Sequence, residues 1–108
     1  PEILLLDEPF GALDNQTRAI MQELLLDIWE KSHKTILFIT HDVEESIFLA
    51  SRVLVMTARP GRIKADIAIE LEYPRSYQIK MDPRFLKYKE QLTELIREES
   101  LRAIELEA

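Results

Sequence analysis

The sequence contains no cysteine, which excludes disulfide bonds and thiolate metal sites and fits a reducing compartment. It also lacks any apolar run of the ~18 residues that a membrane-spanning helix requires, and it shows no signal peptide. Basic residues are not in excess: the net charge of −6 gives no basic surface of the kind that binds nucleic acid. What remains is room for one modest domain, because 108 residues with 46% apolar content can form a single core.

An unbroken apolar run at residues 3–6 leads directly into two carboxylates, Asp7 and Glu8. Such a run, ended by Pro9, predicts a strand buried on both faces of a parallel sheet that helices cover. Ligands bind at the carboxyl ends of strands in these sheets. The pair therefore indicates one of two things. Either Asp7 holds Mg²⁺ while Glu8 orients or deprotonates water for phosphoryl transfer, or the two acids only solvate a turn.

A helix and a second strand follow this stretch. Asp14 is placed to cap a helix over residues 15–32, and residues 35–39 are β-branched and aromatic, which predicts another buried strand. A strand, a helix and a strand at this separation predict a right-handed unit with parallel strands. His41 then falls at the same edge of the sheet as the two carboxylates. The apolar helix residues predict a core-covering face: Ile20, Met21, Leu24, Leu25, Ile28 and Trp29.

The middle of the chain predicts a short helix and a hairpin. Asp42 with Glu45 forms a capping-box-like start to a helix near residues 43–50. Residues 52–57 predict a third strand. Residues 63–71 alternate between apolar and polar, which predicts its antiparallel partner in a hairpin at the edge of the sheet.

The last third predicts a linker followed by a helix. Residues 72–81 contain a proline and several polar side chains, which is typical of a loop. Asp82 with Pro83 is a strong helix start, and the apolar stripe behind it continues to about residue 99. Residues 101–106 either extend this helix or fray.

Three features converge on one edge of the predicted sheet: the Asp7-Glu8 pair, Asp14 and His41. An imidazole beside a metal-and-water site can contact a terminal phosphate and hold the nucleophile in line. A histidine at the end of a strand is nevertheless more often structural or solvated, and Asp14 has a complete explanation as a helix cap. Capping and function are compatible, because a rigid cap can also present its loop to another subunit.

The order and spacing of three motifs resemble ATP-binding cassette (ABC) ATPases. Residues 3–9 resemble the Walker B strand, residues 11–14 the D-loop, and residues 40–42 the loop of the switch histidine. The resemblance implies an α/β chain that is the C-terminal part of a P-loop NTPase domain. It would have parallel strands with covering helices, an edge β-hairpin and a C-terminal helix. Phe10 and the tail around residues 73–75 and 82–85 look most like importers of nitrate, sulfonates or taurine.

The resemblance also implies a role for each site residue. Asp7 would bind Mg²⁺ through water, Glu8 would be the general base, and His41 would contact the γ-phosphate of ATP. Asp14 would signal across a nucleotide-sandwich dimer. In the family, two ATPase subunits, here expected to be identical, close around two ATP molecules at the cytoplasmic face of the membrane. They drive transmembrane permease subunits, and a periplasmic or extracellular solute-binding protein takes part indirectly.

The sequence departs from the family in its phosphate-binding parts. The GxxxxGK[ST] loop, the glutamine loop and the LSGGQ-type signature are missing, and Gly11 and Gly61 are the chain's two glycines. The chain also starts with Pro1 and Glu2 directly before a core strand. These features predict the back part of a longer protein. Residues 1–71 would belong to the ATPase core and residues 72–108 would form a linker and helical tail.

The chain on its own is therefore expected neither to bind ATP usefully nor to hydrolyse it, because the phosphate cradle is absent. Missing neighbour strands should leave strand edges and apolar faces exposed, which favours self-association. Two alternatives stay open. One is an ABC ATPase without transport, as in DNA repair or translation. The other is a noncatalytic α/β regulatory domain whose carboxylates bind a cation, such as a phospho-acceptor receiver domain, although the further acidic pair and late lysine of that class cannot be located.

Overall fold

The computed structural model describes residues 3–107, with side chains as far as residue 105. Pro1 and Glu2, on which the expectation of a longer protein partly depends, and the side chain of Leu106 lie outside the described residues. A short 3₁₀ helix at Tyr77–Met81 precedes the last α-helix. In chain order the remaining elements are β1 Ile3–Asp7, α1 Asn15–Ser32, β2 Thr35–Ile39, α2 Val43–Leu49, β3 Arg52–Met56, β4 Ile63–Ala68 and α3 Pro83–Glu107.

β1 and β2 are parallel neighbours, as the sequence predicts. Their register runs from Ile3 opposite Thr35 to Asp7 opposite Ile39, so both strands end at the same edge. α1 connects them and has the predicted bounds. It ends at Ser32, and the next residue, His33, caps it with φ = 53° and donates its N–H to the carbonyl of Trp29. A left-handed residue of this kind is a common way to terminate a helix.

The prediction that these strands are buried on both faces is wrong for this structure. Ile3 is 65% exposed, Leu5 60% and Leu37 51%. Within the described residues the sheet has two strands. The face with Ile3, Leu5 and Leu37 is open, whereas Leu6, Ile36 and Phe38 on the other face are half-buried. The expectation that apolar faces would be exposed is confirmed.

The predicted core-covering face of α1 is also wrong. Ile20, Leu24 and Ile28 are exposed, whereas Gln22 and Leu26 are buried. Periodicity identifies an apolar stripe but not the element that will meet it. α1 instead contacts α2. The face of α1 that packs against α2 therefore has a polar residue, Gln22, at its centre.

β3 and β4 form the predicted antiparallel hairpin, with Val53 opposite Ile67 and Val55 opposite Ala65. The N–H of Thr57 donates to the carbonyl of Arg62 at 2.8 Å and closes the turn. The predicted position at the edge of the parallel sheet is wrong, because the hairpin forms a separate two-stranded sheet within the described residues. Its buried side chains pack against α2 and α3 instead.

The core lies between α2, the hairpin and α3. α3 begins after Asp82, whose side chain accepts from the N–H of Arg84 at 2.8 Å, and the helix continues past residue 99 to Glu107. This settles the two alternatives for residues 101–106 in favour of extension. The buried apolar cluster consists of Leu26, Ile47, Phe48, Val55, Ile69, Leu71, Phe85 and Leu92.

Arg75, in the segment predicted to be a linker, is buried inside this core. Its guanidinium donates to the carbonyls of Ile47 at 2.9 Å, Ala50 at 2.8 Å and Leu71 at 2.8 Å. It also lies 3.9 Å from the centre of the Tyr73 ring. Burial lowers the pKa of the guanidinium. Backbone carbonyls and a ring face stabilise it.

None of the helices in residues 3–107 is both long and apolar enough to cross a bilayer.

Candidate functional site

β1 ends in a turn at Glu8, whose backbone lies in the left-handed region at φ = 45°. A side chain with a Cβ adopts this conformation at a cost in free energy, and such residues concentrate at functional sites. The N–H of Glu8 donates to the carbonyl of Ile39 at 2.8 Å, which extends the pairing of β1 with β2 by one step. The carbonyl of Glu8 accepts from the N–H of Gly11 at 3.3 Å. The side chain of Glu8 is thereby held at the carboxyl end of both strands.

His41 lies directly beside this glutamate. Its Nε2 atom is 3.2 Å from Oε1 of Glu8, which confirms the prediction that His41 falls at the same edge of the sheet. The imidazole is 92% exposed and the carboxylate 41% exposed. An exposed pair of this kind contributes little to folding stability. The geometry therefore leaves both groups accessible to a ligand.

Asp7 precedes the pair and is exposed at the end of β1. Among residues 3–107 no group of three or more acidic, histidine or cysteine side chains is arranged to hold a metal ion. Mg²⁺ keeps several waters and commonly takes one or two protein carboxylates, with phosphate oxygens completing its shell. A single exposed aspartate fits that requirement only together with a phosphate-bearing ligand.

Asp14 does not join the Glu8–His41 pair; it caps α1. Its Oδ1 accepts from the N–H of Thr17 at 2.9 Å, and its Oδ2 accepts from the Thr17 hydroxyl at 3.0 Å. These hydrogen bonds hold the pKa of Asp14 below its usual range. The predicted cap is confirmed. The loop before it is anchored by Phe10, which is buried and lies 5.7 Å from the ring of Phe38.

The sequence reasoning missed Arg18, which reaches from α1 to both loops of the site. Its Nη1 lies 3.2 Å from Oδ2 of Asp42, and its Nη2 donates to the carbonyls of Gly11 at 3.4 Å and Leu13 at 3.3 Å. The sequence contains one indication of this position: Arg18 follows Asp14 by one helical turn, which places it near the loop that precedes α1.

The capping box at α2 is formed only in part. Oδ1 of Asp42 accepts from the N–H of Glu45 at 3.3 Å, as predicted. The carboxylate of Glu45 is buried and accepts instead from the amide of Gln22 at 2.7 Å. This buried pair accounts for the polar centre of the contact between α1 and α2.

These side chains surround an open cleft of about 400 Å³. The cleft is formed by the ends of two strands and the starts of two helices, and each of its basic side chains lies beside an acidic one: Arg18 beside Asp42 and His41 beside Glu8. Its lining comprises Glu8, Gly11, Arg18, Thr40, His41, Asp42 and Glu45. The features define a small α/β protein that presents an acid–imidazole pair at the carboxyl ends of parallel strands.

Comparison with known proteins shows which proteins this chain is similar to. An uncharacterized ABC transporter ATP-binding protein of Methanocaldococcus jannaschii is 48% identical over 96% of this chain and 38% of its own length. The nitrate import ATP-binding protein of Synechocystis is 50% identical over 90% of this chain and 39% of its own length. The taurine import ATP-binding protein of Rhizobium johnstonii is 50% identical over 96% of this chain and 38% of its own length. No family model matches the chain.

At about 50% identity over nearly all of its length, the chain is a homologue of the ATP-binding proteins of ABC transporters. It spans less than two fifths of the length of these relatives.

Proposed function

We propose that the chain is the C-terminal part of a P-loop ATPase domain of the ABC type and supplies the acid–base side of an ATP-hydrolysing site. The contact of Glu8 with His41 carries the proposal, because it joins a carboxylate to an imidazole where parallel strands end. Residues 1–71 would belong to the ATPase core, and residues 72–108 would form a linker and helical tail.

Glu8 is the proposed general base. Its carboxylate is accessible and held by the turn after β1, so it can accept a proton from a water molecule attacking the γ-phosphate. His41 lies against this carboxylate, with its Nε2 atom 3.2 Å from Oε1 of Glu8. The same nitrogen, exposed in the cleft, would donate to a γ-phosphate oxygen when ATP is present.

Asp7 is the proposed Mg²⁺ ligand. Bound Mg²⁺ would supply positive charge that neutralises the developing charge on the phosphate oxygens. The part of this chain is to offer one exposed carboxylate at the end of β1, to which the ion would bind through water.

Asp14 is proposed to act between subunits. Its cap bonds hold it rigidly at the start of α1, with its loop on the surface. A second copy of the ATPase would close on this loop in a nucleotide-sandwich dimer. In the importer, transmembrane permease subunits and, indirectly, a solute-binding protein outside the membrane would complete the assembly at the cytoplasmic face. The names of the nitrate and taurine relatives support a solute of the nitrate, sulfonate or taurine class.

The 108 residues alone are proposed to bind ATP with an affinity weaker than micromolar. The chain has two glycines and no GxxxxGK[ST] loop, so backbone donors for the phosphates and the phosphate-binding lysine are missing. Calorimetric titration of the chain with MgATP should show no binding in the micromolar range. Micromolar, Mg²⁺-dependent affinity would contradict this proposal.

The direct test is Glu8→Gln in the longer ATPase that carries this sequence behind a phosphate loop. Removing a general base should lower kcat about 10³-fold while ATP binding and the closed dimer persist. The matched control is Glu90→Gln, which makes the same chemical change at an exposed position of α3 and should leave turnover unchanged. Normal hydrolysis by the Glu8→Gln variant would remove the proposed role.

A further inference from the structure

Arg18 is the side chain that joins the loop after β1 to the loop after β2. Through Nη2 it contacts the carbonyls of Gly11 and Leu13, and through Nη1 it contacts the carboxylate of Asp42. An arginine suits this arrangement because its planar guanidinium offers donors in several fixed directions. A lysine at the same position offers one charge centre and cannot hold three acceptors in the same geometry.

The contact differs from an ordinary surface ion pair on the same helix. The Arg18 side chain is 24% exposed, whereas Lys31, paired with Asp27, is 75% exposed. Within the described part of the chain, the Arg18 Nε atom is buried and has no hydrogen-bond partner. A buried donor without a partner costs free energy. The hydrogen bonds that the guanidinium makes go to the two loops and not to its own helix. These loop contacts therefore hold it in its partly buried position.

The Asp42 end of the contact is tied to the histidine loop. The N–H of Asp42 donates to the hydroxyl of Thr40 at 3.0 Å, across His41, and its Oδ1 caps α2 through the N–H of Glu45. Displacing the Asp42 carboxylate would therefore displace the backbone on both sides of His41. The Gly11 end is equally tied to Glu8, whose carbonyl accepts from the Gly11 N–H.

We propose that Arg18 is a positioning residue that couples the loop after Glu8 to the loop that carries His41, so that the carboxylate and the imidazole keep their relative placement. The inference rests on the proposed function for its catalytic consequence. The coupling itself is a property of this chain. It predicts that a change at Asp42 alters the loop at Gly11 and Leu13 through Arg18, which contacts all three residues.

The test is amide hydrogen exchange, measured by NMR on the 108-residue chain. Asp42→Asn keeps a good helix cap but removes the charge that holds Arg18. Loss of a charge-assisted contact should speed exchange at Gly11 and Leu13 about tenfold, and Arg18→Met should do the same at Asp42. Lys31→Met, which breaks the exposed pair on the same helix, is the control and should leave both loops unchanged. Exchange in β3 and β4 should not respond to any of the three changes.

The result distinguishes coupling from simple destabilisation. Faster exchange throughout the chain, or a change confined to the mutated loop, would overturn the proposal. Arg18→Lys should behave like Arg18→Met; full recovery by lysine would also overturn it.

The catalytic consequence is tested separately in the longer ATPase. Arg18→Met should lower kcat about tenfold while KM for ATP stays constant, because the phosphate loop holds the nucleotide. An unchanged kcat in an active enzyme would contradict positioning. If the unmodified enzyme does not hydrolyse ATP, the proposed function fails, and the exchange experiment still decides whether the two loops are coupled.

Discussion

Nε2 of His41 lies 3.2 Å from Oε1 of Glu8, although α1 and β2 separate the two residues along the chain. The parallel register brings them together, since Asp7 stands opposite Ile39 and both strands end at one edge. The left-handed backbone of Glu8 then directs the chain into the loop that Arg18 holds. The site is thus built from strand ends and loops, which is where α/β proteins commonly bind ligands.

The first prediction concerns the open face of the parallel sheet. The chain should self-associate with rising concentration, because β1 and β2 expose apolar side chains and unpaired strand edges. Leu5→Lys should weaken association by about tenfold, since one leucine contributes about 1.5 kcal/mol or more when buried. Sedimentation velocity at several concentrations measures the effect.

Leu101→Lys is the matched control for this experiment. Leu101 is 51% exposed on α3, so the same chemical change is made away from the sheet. Association should be nearly unaffected. A chain that stays monomeric at every concentration, or one in which both variants behave alike, would show that the sheet is not the associating surface.

The second prediction concerns the buried guanidinium. Arg75→Met should lower the free energy of unfolding by about 3 kcal/mol, because several buried carbonyls lose their donor at once. Urea unfolding followed by circular dichroism gives the value. Arg97→Met, at an exposed position of α3, is the control and should have a much smaller effect. Equal stability of the two variants would contradict a structural role for Arg75.

The third prediction concerns the attachment of α3 to the hairpin. Oε1 of Glu99 accepts from the N–H of Ala58 at 2.9 Å, and Oε2 accepts from Nζ of Lys64 at 2.7 Å. These hydrogen bonds, that of Lys64 foremost, lower the pKa of Glu99. A pKa that is depressed in the folded state adds stability above the unfolded pKa and loses it as the pH falls through the folded value.

Glu99→Gln should therefore be less stable than the parent chain at neutral pH, and the difference should shrink below roughly pH 4.3, the ordinary pKa of a glutamic acid side chain. Unfolding titrations at a series of pH values measure the difference. A difference that stays constant from neutral pH to pH 3 would show that ionisation of Glu99 does not stabilise this contact.

Local signals were sufficient for most of the secondary structure. α1 has the predicted bounds because a cap at Asp14 marks its start, the apolar periodicity continues to Trp29, and basic residues from Lys31 onward mark its end. β-branched and apolar runs predict β1 and β2, and the parallel pairing of these strands predicts that His41 lies at the same sheet edge as Glu8.

Tertiary contacts were not predictable in the same way. An apolar run shows that a strand needs cover but not whether a layer is present, so the burial of β1 was predicted wrongly. Arg75 reads as a polar loop residue, because its partners are backbone carbonyls that carry no sequence signal. The spacing of Arg18 from Asp14 predicts a position near the first loop, but its contact with Asp42 depends on the meeting of two loops that are distant in sequence.

The central claim is that Glu8 and His41 act as one unit, and a double-mutant cycle on kcat tests it most directly. The longer ATPase would be compared as Glu8→Gln, His41→Ala and the combined variant. Residues that act as a unit are strongly non-additive. The account predicts that the double variant is no slower than the slower single variant. Rate losses that multiply in the double variant would show that the two side chains act independently and would contradict the account.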